Sequence, residues 1–414
     1  MINFSFELSN KNKLFSLLTI FFISIHPLYS LLNFILLLVG NGLPVGIMPF
    51  YFLATIWLAF LTINYGIRVK DVLLLCIIYF FFIIQYFLAN DHSKIFFRSP
   101  DVTTMFMFYI PVGILGVSRV TDWTEIFTNK LVLWGSDLLI FGLFVSKLSG
   151  LNLTNYMSFS YSLLPFWGIV FLSATLFQNK SQWLFVAVAL IEGLVYGARG
   201  TLLWYLFFMF YILFFNKASN KFVLIRIKRL IILFFSGLIV INILLPILVS
   251  SKIVNDSYFL RRIAMGSLTD DAGRGNLAIV SREVLAKMSI FQTNSVFYDR
   301  TVLPNGLYAH SIVYELLLDF GWIIGSIFLL MLLYVIIRPF ITRSEITRTY
   351  YMFFIFSFFA RYFISGSIFD EGMFWIFIGT MVSLNDSRYE DILNLSDTLG
   401  KSKVIHHKIV LCWK

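Results

Sequence analysis

The chain has 414 residues, of which 59% are hydrophobic and only 13% are charged. Soluble domains carry roughly 25% charged residues, so this composition excludes an ordinary soluble protein and indicates a membrane protein. The net charge of +10 does not indicate a nucleic-acid partner, because the basic residues are scattered through short loops instead of forming one stripe. Cys76 and Cys412 do not match the spacing of a disulfide framework or a metal site.

Apolar segments recur along the chain, and each is long enough to cross roughly 30 Å of hydrocarbon as a helix. We therefore predict one all-α polytopic membrane domain over residues 1–414, with about twelve transmembrane helices. His26-Pro27 interrupts the first span and either kinks one helix or separates two. No cleavage site follows this span, which predicts an uncleaved segment and not a signal peptide. The predicted spans are 14–39, 46–65, 71–89, 101–118, 131–146, 160–177, 182–198, 200–216, 230–251, 310–337, 349–367 and 370–384.

The distribution of Lys and Arg among the loops predicts the orientation. An even number of spans puts both termini on one side, and the loops of that side carry most of the basic residues. The short loops of the other side hold only Lys94, Arg98, Lys147 and Arg199. The positive-inside rule then places both termini, including a tail at 385–414, in the cytoplasm. The large loop at 252–309 is then extracytoplasmic.

One segment of this large loop, "GRGNLAIVSREVLAKMSIF", has apolar residues at helical spacing. They are Leu277, Val280, Val284, Leu285 and Met288. This stripe predicts an amphipathic helix that lies on the membrane surface or covers the bundle. Asp270 and Asp271, just upstream, are expected to cap it.

Charged residues within spans cost about 2.5 to 3.5 kcal/mol each and are candidates for function. Glu192 lies seven residues before Arg199, so two turns of one helix would put both on one polar stripe. Asp319 and Arg361 lie at comparable depths in two spans, and we expect them to pair. The favoured interpretation of this pair is structural, an ion pair that holds two helices in register. Asp137 receives no role.

Three residues converge on the outer face: Arg199 between two spans, Arg274 at the start of the loop helix and His310 where the tenth span begins. Arginine presents a fork of donors that matches phosphate oxygens, and histidine accepts a proton near neutral pH. Each residue alone also fits an interfacial side chain whose charged or polar end reaches the headgroups. Together they predict a site for a phosphorylated substrate.

Three strings carry a resemblance to a known family: "GARG" before a span, "DDAGRGNLAIVSREVL" in the large loop and "AHSIVYELLLDFGWIIG" at the next span. They resemble bacterial O-antigen polymerases and the related O-antigen ligases over roughly residues 190–340; elsewhere the likeness is one of topology. The resemblance implies that Arg199 and Arg274 bind the diphosphate of an undecaprenyl-linked glycan and that His310 is the essential histidine. The family's "HN" reads His310-Ser311 here, which removes any contact of the asparagine side chain.

Further candidate residues lie in these strings and in the spans around them. Arg282 is expected to join the two arginines in binding substrate, and Glu192, Glu315, Asp319 and Arg361 are expected to support the site. Asp319-Phe320-Gly321 and Gly325 match the family's acidic-x-Gly step, which fits close helix packing as readily as catalysis. We expect no cofactor and no metal, because arginines would stabilise the leaving diphosphate and the outer loops show no carboxylate cluster with cation spacing.

These observations favour a metal-independent glycosyltransferase, an O-antigen polymerase with a periplasmic active site in a bacterial inner membrane. Its expected partners are undecaprenyl-diphosphate-linked glycans, membrane lipid and, by the resemblance alone, a chain-length regulator protein. One alternative is a ligase that transfers finished polymer to lipid A core. A second is a flippase for the lipid-linked repeat. Many transporters contain two halves that repeat each other, and no such repeat is evident in this sequence.

Overall fold

A computed structural model of the protein describes residues 2–40, 46–149, 156–196, 198–215, 274–342 and 345–385. Every regular element within these ranges is a helix. Residues from Phe15 to Leu384 contribute to one apolar core, and a second, smaller cluster lies under the large loop. The chain is thus an all-helical polytopic membrane protein.

Six helical runs in the described ranges are long and apolar enough to cross a membrane. They are Asn10–Leu38, Met48–Tyr65, Val69–Leu88, Pro100–Arg119, Lys130–Leu148 and Ile312–Arg338. Four shorter apolar helices accompany them: Phe159–Thr175, Gln182–Val195, Arg199–Phe214 and Met373–Leu384. A further helix, Glu345–Phe354, continues through a π-turn and a 3-10 turn to Phe363.

The first span is one helix, Ile2–Leu38, that passes through Pro27 without a break. Other predictions fall on residues that the structure does not describe. These are the ninth span at 230–251, the part of the large loop at 252–273 with its capping Asp270 and Asp271, and the tail from residue 386.

The tenth span differs most from its prediction, because Gly321 interrupts the helix Ile312–Thr342. Its φ of 74° and ψ of −179° lie in a region that is essentially restricted to glycine. A Cβ at Gly321 would lie 1.8 Å from the backbone oxygen of Gln292, and one at Gly325 would lie 2.5 Å from that of Leu316. The chain therefore turns sharply here, and residues 312–320 pack with the large loop.

The helix of the large loop, Arg274–Lys287, places its apolar stripe as the spacing predicted. Leu277 and Leu285 are buried against Leu303 and Leu318, and the other three stripe residues pack on the same cluster. The stripe thus covers other parts of the loop and the segment after His310. Arg274 is the first described residue of this helix.

The bundle has two chemically different ends. One end, which we call the basic end, has a small cavity lined by Lys11, Tyr65, Arg68 and Arg119. The opposite end, here called the loop end, carries the large loop. The helix Met48–Tyr65 has its last residue at the basic end and its first in a cavity at the loop end. At 1.5 Å per residue its 18 residues separate the two ends by about 27 Å.

Close helix contact shapes the loop end. A Cβ at Gly113 would lie 2.4 Å from the backbone oxygen of Trp375, and a Cβ at Gly379 would lie 2.2 Å from that of Gly113. Glycines at such positions let two helices approach at backbone distance, as is common in membranes. The contact sets the start of the helix Met373–Leu384, with the acidic residues just before it, beside the second half of the helical run Pro100–Arg119.

Candidate functional site

A polar cavity of about 610 Å³ lies at the loop end. Its wall includes the first turns of the helices that begin at Met48, Pro100 and Met373. It also reaches His26, which is about 18 Å along the helix from Leu38 at 1.5 Å per residue. Small-molecule sites commonly enclose about 300 to 1,000 Å³, so this cavity has room for a ligand of that kind.

An ion pair between Arg361 and Glu371 forms part of the cavity wall. The distance between Arg361 Nη2 and Glu371 Oε2 is 2.6 Å, and the guanidinium carbon lies 4.5 Å from the centre of the Tyr161 ring. The predicted pairing of Arg361 with Asp319 is therefore wrong. Arg361 instead connects the helical run that ends at Phe363 to Glu371, which lies just before the helix Met373–Leu384.

Asp319 holds the backbone of the large loop. Its buried carboxylate accepts the N–H of Phe297 at 3.0 Å and that of Asp299 at 2.9 Å. Asp299 in turn accepts the N–H of Ala309 at 3.0 Å, and burial raises the pKa of Asp299 to about 6. The depth estimate for Asp319 placed the segment after His310 in one straight span, whereas the turn at Gly321 separates residues 312–320 from the rest of that span.

Two further contacts connect the segment before the last helix to the tenth span and to the large loop. Glu315 is buried and accepts hydrogen bonds from the hydroxyl of Ser367 and from the N–H of Ile368. Arg300 pairs with Asp370. The carboxylate of Glu315 thus holds the segment that carries Asp370 and Glu371, and its supporting role in the site stays a prediction.

His310 lies at the edge of this assembly. Its ring centre is 4.0 Å from that of Tyr308, which lines the cavity. Its Nδ1 is buried and has no hydrogen-bond partner among the described residues. Burial and, after it, the charge of Arg274 lower the pKa of His310 to about 4. The imidazole is therefore neutral at pH 7 and has a nitrogen available to accept a proton.

The structure brings Arg274 and His310 together, as the sequence predicted. Arg274 is near enough for its charge to act on both His310 and Tyr161. Arg282, two turns further along the loop helix, is exposed and donates from Nε to the hydroxyl of Tyr314 at 2.7 Å. Arg282 is thus at the solvent side of the same helix.

Arg199 is the first residue of its helix and is half-buried. The next residue, Gly200, approaches the Tyr161 hydroxyl so closely that a Cβ there would be 2.8 Å from it. Tyr161 is therefore a common neighbour of the Arg199–Gly200 turn, of Arg274 and of Arg361. This residue links the predicted arginines to the cavity, which none of Arg199, Arg274 and His310 lines directly.

Glu192 has a different position from the one predicted. Its helix ends at Val195 and a new helix begins at Arg199, so Glu192 and Arg199 do not share a helical face. Glu192 is fully buried and accepts a hydrogen bond from Trp167 Nε1 at 3.0 Å. Asp137, which received no role, accepts a hydrogen bond from Gln182 at 3.0 Å.

The sequence reasoning missed Glu371, Tyr161, Tyr308 and Asp101 as residues of the site. Asp370-Glu371 offered a signal, because two adjacent carboxylates directly precede an apolar segment at the loop end. The tyrosines offered no such signal, because the chain contains 20 tyrosines and nothing local distinguishes Tyr161 or Tyr308 from the others. Their position around Arg361 depends on contacts between helices that are distant in sequence.

The side chains that meet here are suited to binding and proton transfer. Among the described residues, no group of three or more His, Cys, Asp or Glu side chains is placed to hold a metal ion. Comparison of the chain with models of protein families, with curated proteins and with solved structures found no match.

Proposed function

We propose that the protein is an O-antigen polymerase, which joins undecaprenyl-diphosphate-linked oligosaccharide repeats into a polysaccharide. The observation that carries the proposal is the placement of Arg274 beside a neutral His310 at the edge of a polar cavity. Ionisable groups in a cavity inside an apolar helical bundle mark a candidate functional site. The motif resemblance adds the chemistry of the substrate.

In this proposal His310 is the general base. It accepts the proton of an acceptor sugar hydroxyl while the hydroxyl oxygen attacks the anomeric carbon of the donor glycan. The bond between that carbon and the diphosphate oxygen breaks, and its electron pair remains on the diphosphate. Arg199, Arg274 and Arg282 bind this leaving group, because their fixed charges favour the negative charge that develops on it.

The orientation of the bundle supports a site on the outer face. The basic end collects Lys11, Arg68 and Arg119 around one cavity. By the positive-inside rule this end faces the cytoplasm, so the loop end faces the periplasm of a bacterial inner membrane. The full proposal has twelve spans, cytoplasmic termini and a separate chain-length regulator as a partner.

Replacement of Arg274 by Gln tests the diphosphate role. Loss of one charge-assisted contact to the leaving group removes roughly 1.5 to 3 kcal/mol, which predicts about a 10- to 150-fold lower rate of glycan extension. Elongation of lipid-linked repeats by the purified protein measures this rate. Lys287→Gln, at the other end of the same helix, is the matched control. Equal rates for Arg274→Gln and Lys287→Gln would contradict the role.

The pH dependence of extension tests the base. The neutral imidazole is the active form, so with a pKa of about 4 the rate is expected to hold from pH 7 down to about pH 5. Arg274→Gln removes a charge that disfavours the imidazolium, which raises the pKa of His310 toward its ordinary value. The variant should therefore lose relative activity at a higher pH than wild type. An unchanged acidic limb would show that Arg274 does not contribute to the lowered pKa of His310.

A ligase of the same superfamily would use the same residues, and product analysis separates the two activities. Loss of a polymerase leaves single-repeat lipopolysaccharide, whereas loss of a ligase leaves polymer on the lipid carrier. A flippase is favoured by one observation, the extension of the cavity to His26. Extension of defined lipid-linked repeats by the purified protein in detergent, without a second compartment, would exclude a function limited to transport.

A further inference from the structure

The charges around the cavity are unevenly distributed. Asp101, Asp370 and Glu371 line the cavity, and Arg361 is the basic residue among its lining side chains. Glu371 pairs with Arg361, and Asp370 pairs with Arg300 behind the wall. The carboxylate of Asp101 is exposed and has no hydrogen bond or ion pair among the described residues. The cavity thus has one carboxylate without a directly paired cation, and the charge of Arg300 acts on it from a distance.

The negative charge of Asp101 makes the cavity electrostatically different from its edge, where the arginines lie. A diphosphate near Asp101 would meet a like charge, whereas a diphosphate beside Arg274 would meet an opposite one. The leaving group and the cavity's occupant must therefore be different chemical groups. Phosphate belongs at the edge, and a group without negative charge belongs in the cavity.

The polar atoms of the wall suit a ligand with many hydroxyl groups. Arg361 Nε is buried and has no hydrogen-bond partner among the described residues, so it is a free donor. Asp101 supplies acceptor oxygens, and the hydroxyls of Tyr161 and Tyr308 both donate and accept. His26 completes this set, since its ring is accessible although it lies within the bundle.

Aromatic rings provide the apolar part of the wall. Tyr51, Tyr109, Tyr161 and Tyr308 line the cavity. A tyrosine ring offers a flat apolar face with a polar tip, which suits the C–H face and the hydroxyl edge of a sugar ring. Tyr308 also contacts His310, with 4.0 Å between the ring centres. A sugar packed on Tyr308 would therefore be close to the base.

We propose that this cavity binds the terminal sugar of the acceptor glycan and selects a neutral or amino-bearing pyranose over a uronic acid. The inference rests on the proposed function, because it names the acceptor class of the same site. Asp101 acts as the selectivity residue by repelling a substrate carboxylate. Arg361 Nε and Tyr308 hold the sugar with a hydroxyl toward His310.

Binding of soluble methyl glycosides to the purified full-length protein tests the proposal. The probes are the methyl glycosides of glucose, galactose and mannose and of the three corresponding uronic acids, with affinities measured by ligand-observed NMR. At least one neutral glycoside should bind about 10-fold more tightly than its uronic acid, a ratio that corresponds to about 1.4 kcal/mol of repulsion between Asp101 and the substrate carboxylate. Asp101→Asn should reduce this ratio to about threefold or less.

Asp91→Asn is the matched control, because Asp91 is exposed, lies near the same end and does not line the cavity. It should leave the ratio at its wild-type value. Failure of all six probes to bind would overturn the proposal. So would a uronic acid that binds as well as its neutral partner, or a ratio that Asp101→Asn does not change.

A variant of His310 separates this inference from the proposed function. His310→Asn should leave glycoside binding intact while glycan extension is lost. Loss of extension without selective glycoside binding would leave the polymerase proposal standing and remove the acceptor subsite. Selective glycoside binding by a protein that never extends a glycan would support the sugar-binding cavity and remove the polymerase proposal.

Discussion

His310→Asn is expected to reduce glycan extension about 100- to 10,000-fold, the usual contribution of a positioned general base. The neutral imidazole of His310 is the base at the cavity's edge, and an asparagine amide does not accept a proton near neutral pH. Asparagine is the appropriate replacement because His310 has a φ of 52°, a left-handed conformation that asparagine adopts more readily than most residues. The backbone next to Ala309 is therefore expected to stay in place.

His92→Asn is the control for this variant. His92 is exposed on the short helix Asp91–Phe97 and does not line the cavity. The measurement is the length distribution of lipopolysaccharide in cells, together with the extension rate of the purified protein at equal protein level. Wild-type chain lengths in His310→Asn would remove this histidine from the mechanism. Asp370 would then be the next candidate base.

Gly321→Ala should be the most destabilising single substitution that we predict. The φ and ψ of Gly321 belong to a region that costs other residues about 1 to 3 kcal/mol. An alanine Cβ would also lie 1.8 Å from the backbone oxygen of Gln292, which cannot move without displacing the loop. We expect a melting temperature at least several degrees lower in detergent, or little folded protein in the membrane.

Gly135→Ala is the matched control for this substitution. Gly135 lies within the helix Lys130–Leu148, and a Cβ there would meet no atom within 4 Å. Alanine has the higher helix propensity, so this variant should be equal to wild type or about 0.5 to 1 kcal/mol more stable. Thermal unfolding of both variants measures the difference. Equal stability of Gly321→Ala and wild type would contradict the turn at this position.

Several site residues were predictable because their signals are local. The stripe from Leu277 to Met288 lies on one face by helical spacing alone, and its burial is confirmed. Arg274 and His310 follow from their convergence on one face of the membrane and from the motif resemblance, and the structure places them within electrostatic reach of each other. Their roles in catalysis remain predictions.

The pairing of charges was not predictable in the same way. Asp319 and Arg361 were assigned to each other by depth, which assumed a straight helix after His310. The turn at Gly321 separates the segment of Asp319 from the rest of the span, and Asp319 binds the loop backbone. Arg361 binds Glu371. The helix break between Val195 and Arg199 similarly separates Glu192 from Arg199.

The sequence by itself determined that this chain is an all-helical membrane protein, because long apolar segments with few charges can satisfy their backbone in lipid only as helices. It also determined the apolar face of the loop helix, since that depends on spacing within one element. Only the tertiary structure decided which charges meet and that Tyr161 and Tyr308 join the arginines to a cavity. Those contacts depend on short breaks in the helices, at Gly321 and between Val195 and Arg199. A local sequence pattern does not show how such a break moves side chains that are distant in sequence.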